Sequence, residues 1–218
     1  MIQVVLIKQG KKFSAEYVNR LAWDIKKALG LPHYRHLYTD DPDHVDTDLV
    51  NVHLLHQLTG GVPLEGWWNK MALFRDRAIK EKDRILWLDL DTVILGNIDF
   101  LFARSDPFVM LRDFFYPDKH WNSSIMLIEG NAYSWIWDQF VSNMNFYQRC
   151  GGDQQAIEYM LREKNLEPVL AQDLWPGKIV SYKADCLEGV PPNAQIVCFH
   201  GRPMPHEVKW DPRNRAKL

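Results

Sequence analysis

The stretch that decides the fold is Ile85-Leu86-Trp87-Leu88-Asp89-Leu90-Asp91. Four apolar residues in a row are expected of a strand covered on both faces, as in a parallel sheet. Two carboxylates stand at the carboxyl end of that strand, which is where open α/β sheets bind their ligands. With one residue between them, an extended backbone would send Asp89 and Asp91 to the same side and Leu90 to the other, into the core. Two like charges held that close need a cation. Hard divalent ions such as Mg2+ and Mn2+ prefer carboxylate oxygens and share their shell with substrate phosphates. The plain alternative is a strand that ends in a solvated Asp turn, a common arrangement. The apolar run in front of the motif favours the metal reading.

Towards the amino end, residues 2–7 form a second apolar run rich in Val and Ile and predict another buried strand, broken at Gly10-Lys11-Lys12. Ser14 can cap a helix in which Val18, Leu21, Ala22, Ile25, Ala28 and Leu29 share one face, and Gly30 with Pro32 ends it. Strands are expected at 36–38 and 49–55, and a helix over 66–80, where Trp67, Met71, Phe74, Ala78 and Ile79 fall on one side. Beyond the motif, strands are expected at 108–111, 124–128, 179–182 and 196–199, with helices at 131–146 and 153–163. This alternation predicts a single α/β domain over 1–218 with a mostly parallel, mixed central sheet. The carboxylate motif closes the first half of that domain, residues 1–100 or so.

The composition excludes several classes. The 218 residues carry 26 basic against 28 acidic side chains, so there is no electrostatic footprint for nucleic acid. Three cysteines without CxxC spacing suggest neither a disulfide framework nor a zinc cluster. No long apolar segment reads as a leader or a membrane span, which makes a soluble, cytoplasmic protein the expectation. Nine Trp, eight Tyr and ten Phe are many for this length, and a minority of them could stack on a sugar or a base.

Several blocks taken together resemble family 8 glycosyltransferases and their bacterial relatives. Residues Ile85 to Asp99 look like that family's strand, D-x-D, apolar stretch and further Asp. Trp67-Trp68-Asn69-Lys70-Met71-Ala72-Leu73-Phe74 occupies the place of the helix that carries a basic residue near the donor, matched by Lys70. Asn122-Ser123-Ser124 resembles a block that contacts the donor sugar, and Gly152-Asp153-Gln154-Gln155 resembles the Asp-Gln block at the sugar and acceptor side. Cys198-Phe199-His200-Gly201-Arg202-Pro203 resembles the late block whose His completes the metal site. The blocks cover residues 65–205 or so, and their joint order is far more specific than any one of them.

The resemblance implies a GT-A fold, Rossmann-like, with residues 1–100 or so as a nucleotide-binding half ending in the carboxylate motif and the rest as a sugar and acceptor half, and it implies a site. Asp89, Asp91 and His200 would hold Mn2+ or Mg2+. Lys70 and Arg202 would stabilise the diphosphate that leaves when the sugar–phosphate bond breaks. The family's spacer before a Lys-Pro-Trp ending is longer than the one here, so Lys209 stands as an alternative to Arg202. Asp113, Asn122, Asp153 and Gln154 would contact the donor sugar or the acceptor, while Lys8 stands where the first strand of the fold meets the nucleotide base and Asp40 at the end of the second strand, both on the cofactor side of the site. The expected partners are a nucleotide-sugar, UDP-linked by preference, and a carbohydrate or glycan acceptor, with retention of the anomeric configuration. An inverting enzyme would use Asp153 or Asp113 as base. Taken singly, Asp113 reads as a loop carboxylate, Asp153 as a helix cap, Asn122 as a turn residue and His200 as a structural imidazole. Two other functions are open: a sugar nucleotidyltransferase, for which Gly10-Lys11-Lys12 is a poor phosphate loop, and a carbohydrate-binding module without catalysis.

Overall fold

Val4 and Leu6 face one way from the first strand and Val5 and Ile7 the other, and both pairs are buried, so this strand lies inside a sheet covered on both sides. In the computed structural model, which describes residues 1–75 and 83–208, that sheet has seven strands. They are β1 (Ile2–Lys8), β2 (His33–Thr39), β3 (Asn51–Leu54), β4 (Arg84–Leu88), β6 (Phe108–Arg112), β7 (Trp121–Glu129) and β8 (Val169–Leu170). A second sheet of three short strands, β5 (Thr92–Ile94), β9 (Ile179–Ser181) and β10 (Ile196–Cys198), stands beside it.

The order of the large sheet is β3-β2-β1-β4-β7-β6-β8, with β7 antiparallel to both of its neighbours and every other pairing parallel. From β1 the chain winds outwards through β2 and β3, then returns to place β4 on the other side of β1. The crevice beyond the carboxyl ends of β1 and β4 is therefore the topological switch point, where ligands of open α/β sheets bind.

Helices cover both faces. On one, Val18, Leu21, Ala22 and Ile25 of α1 (Ala15–Ala28) pack on Val4, Leu6, Leu86 and Leu88. Each such fully buried side chain contributes about 2 kcal/mol. Against the other face lie a 3-10 segment (Gly66–Phe74), the short α2 (Leu55–Thr59), α3 (Trp135–Ser142), α4 (Met144–Tyr147) and α5 (Asp153–Glu163). The small sheet packs one side into the first core and closes a third cluster, of Val93, Val180, Val197 and Phe199, on the other. Among the described residues no helix is long and apolar enough to cross a membrane.

The α/β architecture matches the expectation, and its differences from the sequence reading are local. The third strand stops at Leu54 and turns into α2. The helix expected over 66–80 is a 3-10 segment as far as Phe74, and its end, with Ala78 and Ile79, lies outside the described residues, as do Lys209 and Trp210. Ser14 occupies the cap position of α1 without its side chain making the capping hydrogen bond. The strand at 196–199 belongs to the small sheet instead of the central one. Asn122 lies within β7, not in a turn before it, and Gly152 caps α5, leaving Asp153 as its first residue.

A polar chain crosses the open flank of the large sheet. Gln3 Nε2 donates to Asp83 Oδ2 (2.8 Å), His36 Nε2 donates to Gln3 Oε1 (2.8 Å), and His53 Nε2 donates to His36 Nδ1 (2.9 Å). The carbonyl at Gln3 fixes the direction, since Nε2 of His36 must be the donor to it and Nδ1 is then the acceptor. A proton on Nδ1 would set two donors against each other. Burial, and then the neighbouring His53 ring, lower the proton affinity of His36, with Asp83 opposing; burial lowers that of His53. The stability of these neutral rings is present above the ordinary imidazole value of about 6.5 and is lost as the pH falls below it. Thermal melts from about pH 8 to pH 5 should therefore drop in midpoint, and His36→Gln should flatten the drop. An unchanged slope in the variant would remove this chain from the acid response.

Candidate active site

At the switch point the strand β4 ends and the chain turns at once. Asp89 N–H donates to Ser124 O (2.9 Å), the last bond between β4 and β7, and Thr92 N–H donates back to Asp89 O (3.0 Å). The motif is thus a tight turn leading into β5, not an extended segment. Leu90 is nonetheless driven into the core and both carboxylates line one cavity of about 510 Å3. Asp91 is only 5% exposed. Burial, then the charge of Asp89, push its carboxyl up to about 6, against the Gly201 N–H that donates to its Oδ2 (3.2 Å) and against Lys12 and Lys70.

Lys70 comes up from the 3-10 segment, where Asn69 to Phe74 are all buried. Its ammonium lies 2.9 Å from Asp89 Oδ1 and 3.4 Å from Asp153 Oδ2, donates to Ser123 Oγ (3.2 Å), and sits over the Trp87 ring at 5.5 Å. Burial alone would lower its proton affinity, but Asp153 and Asp89 more than reverse this and the net shift is upward. Ser123 Oγ donates to the same Asp153 oxygen (2.6 Å), and Asp153 sits in the first turn of α5, where the helix dipole favours an anion. Asn122 Oδ1 accepts from Ser124 N–H (2.9 Å), and its Nδ2 is 3.4 Å from Gln154 Oε1. Asp113 Oδ1 accepts from the Phe115 and Tyr116 amides (2.9 Å each), which shapes the loop after β6.

The structure therefore brings Lys70, Asp89, Asp91, Asp113, Asn122, Asp153, Gln154 and His200 to one cavity. Three other expected residues are placed elsewhere. Lys8 is buried and its Nζ is taken by Asp41 (Oδ2 and main-chain O, 3.1 Å each). Asp40 accepts the Gly10 N–H on both carboxylate oxygens (3.0 Å) and ties down the β1–α1 loop. Arg202, its side chain 87% exposed, pairs with Glu207 at 3.1 Å away from the cavity wall. Conversely, Gln9, Lys12, Phe13 and Trp67 line the cavity and were not singled out for it. The signal was their position after β1 and before Lys70, the two segments that flank the switch point.

His200 reaches the cavity, but its imidazole is engaged: Nε2 is hydrogen-bonded to Ser181 Oγ (2.7 Å) and the ring stacks on Phe114 at 5.2 Å and 11°. Burial first, then Lys183, lower its pKa to about 4, so the ring is neutral. Among the described residues no three His, Cys, Asp or Glu side chains gather closely enough to enclose a metal ion. The carboxylate pair Asp89 and Asp91 lines the cavity, as does His200, whose Nε2 is hydrogen-bonded to Ser181. A pair of carboxylates fits Mg2+ or Mn2+, which keep most of their shell for water and phosphate oxygens.

With this geometry the fold likeness is informative. No family model and no curated sequence matches the chain. The solved structure of the glycosyltransferase GlyE from Streptococcus pneumoniae TIGR4 superposes with a TM-score of 0.63 at 13% identity, over 93% of this chain and 55% of that one. Its apo form gives 0.61 at 14%. The galactosyltransferase LgtC, solved with donor and acceptor sugar analogues, gives 0.57 at 12% identity over 97% and 93% of the two chains. The fold is that of the GT-A glycosyltransferases. The chain spans about half the length of GlyE and most of the length of LgtC.

Lys70→Ala would strand Asp153, itself buried, without its cation. Removing one partner of a buried pair costs about 3 to 5 kcal/mol, so the variant should unfold at markedly lower urea. Adding Asp153→Asn to it should recover part of the loss. Additive destabilisation in the double variant would show that the two groups are not coupled.

Proposed function

We propose that the chain is a divalent-cation-dependent glycosyltransferase that moves a sugar from a nucleoside-diphosphate sugar, UDP-linked by preference, to a hydroxyl of a carbohydrate acceptor. The observation that carries this reading is the charge of the cavity wall. Among the described residues, Asp89, Asp91, Asp113 and Asp153 face it against Lys12 and Lys70, an excess of two negative charges at the switch point of the sheet. Such a wall repels a diphosphate until a divalent cation balances it. The likeness to GlyE and LgtC supports the same reading.

A Mn2+ or Mg2+ ion held by Asp89 and Asp91 would offset the charge that grows on the leaving diphosphate. Lys70 is held protonated by its two carboxylates and supplies a fixed cation whose position needs no reorganisation during reaction. Asn122, Asp153 and Gln154 lie side by side on the wall formed by β7 and α5, suited to the hydroxyls of a donor sugar. We read the transfer as retaining. Of the two bases that inversion could use, Asp153 has its Oδ2 already engaged by Lys70 and Ser123, and Asp113 spends an oxygen on two amides.

Incubation with UDP-, GDP- and dTDP-sugars and Mn2+ should release a nucleoside diphosphate from one of them, and EDTA should stop the release. No release and no thermal shift with any donor would overturn the reading. Asp91→Asn should lose Mn2+-dependent nucleotide binding while melting no lower than wild type, because it removes a buried carboxylate that lies beside Asp89. Calorimetry with equal Mn2+-dependent affinities in wild type and variant would sink the cation assignment.

A further inference from the structure

Of the two ammonium groups that line the cavity among the described residues, that of Lys70 is fully engaged by Asp89, Asp153 and Ser123. Lys12 is exposed, has no carboxylate partner among the described residues, and rests 5.0 Å over the ring of Phe13, which also lines the cavity. The loop that carries it is firmly held. Gly10, at φ +63°, is pinned to Asp40, and Gln9 donates to Leu64 O (3.1 Å) while accepting from Gly66 N–H (2.6 Å) and Asn69 Nδ2 (2.8 Å). Lys12 is thus a free cation on an anchored loop at the carboxyl end of β1, on the side of the cavity where Asp91 lies. Its charge acts on Asp91 more strongly than that of Lys70.

We infer that Lys12 is the second cation on the leaving diphosphate of the donor, in the role that the late block assigns to Arg202. The inference rests on the glycosyl-transfer reading. A diphosphate that extends from a divalent ion on the carboxylate pair towards the β1–α1 loop meets the part of the cavity wall formed by Ile7, Gln9, Lys12 and Phe13. Arg202 faces away and is answered by Glu207. A lysine held in place on a loop meets phosphate oxygens as a point charge, and a charge that counts most as the sugar–phosphate bond breaks raises turnover more than binding.

The test uses Mn2+ with inorganic pyrophosphate, a probe independent of base and sugar, followed by donor turnover. Lys12→Ala should weaken Mn2+-pyrophosphate by about tenfold, lower kcat for donor cleavage by a larger factor than it raises KM, and melt like wild type. Lys12→Arg should keep affinity within about threefold. Arg202→Ala should change neither quantity. Equal pyrophosphate affinity in wild type and Lys12→Ala, or a tenfold loss in Arg202→Ala instead, overturns the inference while leaving the glycosyl-transfer reading in place if wild type still cleaves a donor. A wild-type protein that neither binds Mn2+-pyrophosphate nor cleaves any donor overturns both.

Discussion

One buried ammonium organises the site. Lys70 stands between Asp89, at the end of β4, and Asp153, at the start of α5, and reaches Ser123 of β7 at the same time. Four segments far apart in sequence thus converge on a single charge whose proton affinity burial alone would lower. It survives because two carboxylates face it, and they survive desolvation because it faces them. Had any one of the three been apolar, the others would have been left as buried charges short of a partner.

The same arrangement explains why the carboxylates divide their labour. Asp89 is already partnered by Lys70, and Asp91 has only a backbone amide and more distant cations. Asp91 is therefore the less satisfied of the pair, and the one that the cation of the proposed function would relieve most.

Much of this was legible in the sequence because the signals were local. The apolar runs of β1 and β4 and the periodic face of α1 each declare themselves within a few residues, and their alternation implies the sheet. The joint order of the blocks around Lys70, Asp89, Asn122 and Asp153 pointed to residues that do share one cavity. What stayed hidden depends on distant partners. The turn at Leu90 is closed by β5, whose pairing with β10 lies a hundred residues away, and β5 is three residues long, too short to show a pattern. Lys8, expected to face the base, is claimed by Asp41 across a neighbouring strand, and Arg202 is claimed by Glu207, neither of which a motif reveals. Lys12 was overlooked because a Gly-Lys-Lys sequence reads as a solvated break, and its value comes only from the anchoring of its loop by Gln9 and Asp40.

The small sheet gives the carboxylate turn an unusual dependence on timing. Thr92 of β5 pairs with Cys198 of β10, and the Gly201 amide, just beyond it, completes the shell of Asp91. A growing chain that has emerged only as far as β7 can lay down most of the central sheet, but the turn at Asp91 still lacks its edge. Closing that loop is a long-range event with a correspondingly large entropic cost, so it comes late in folding. A nascent or partly folded chain would thus lack the finished carboxylate turn, which is complete only once the polypeptide past residue 196 has docked.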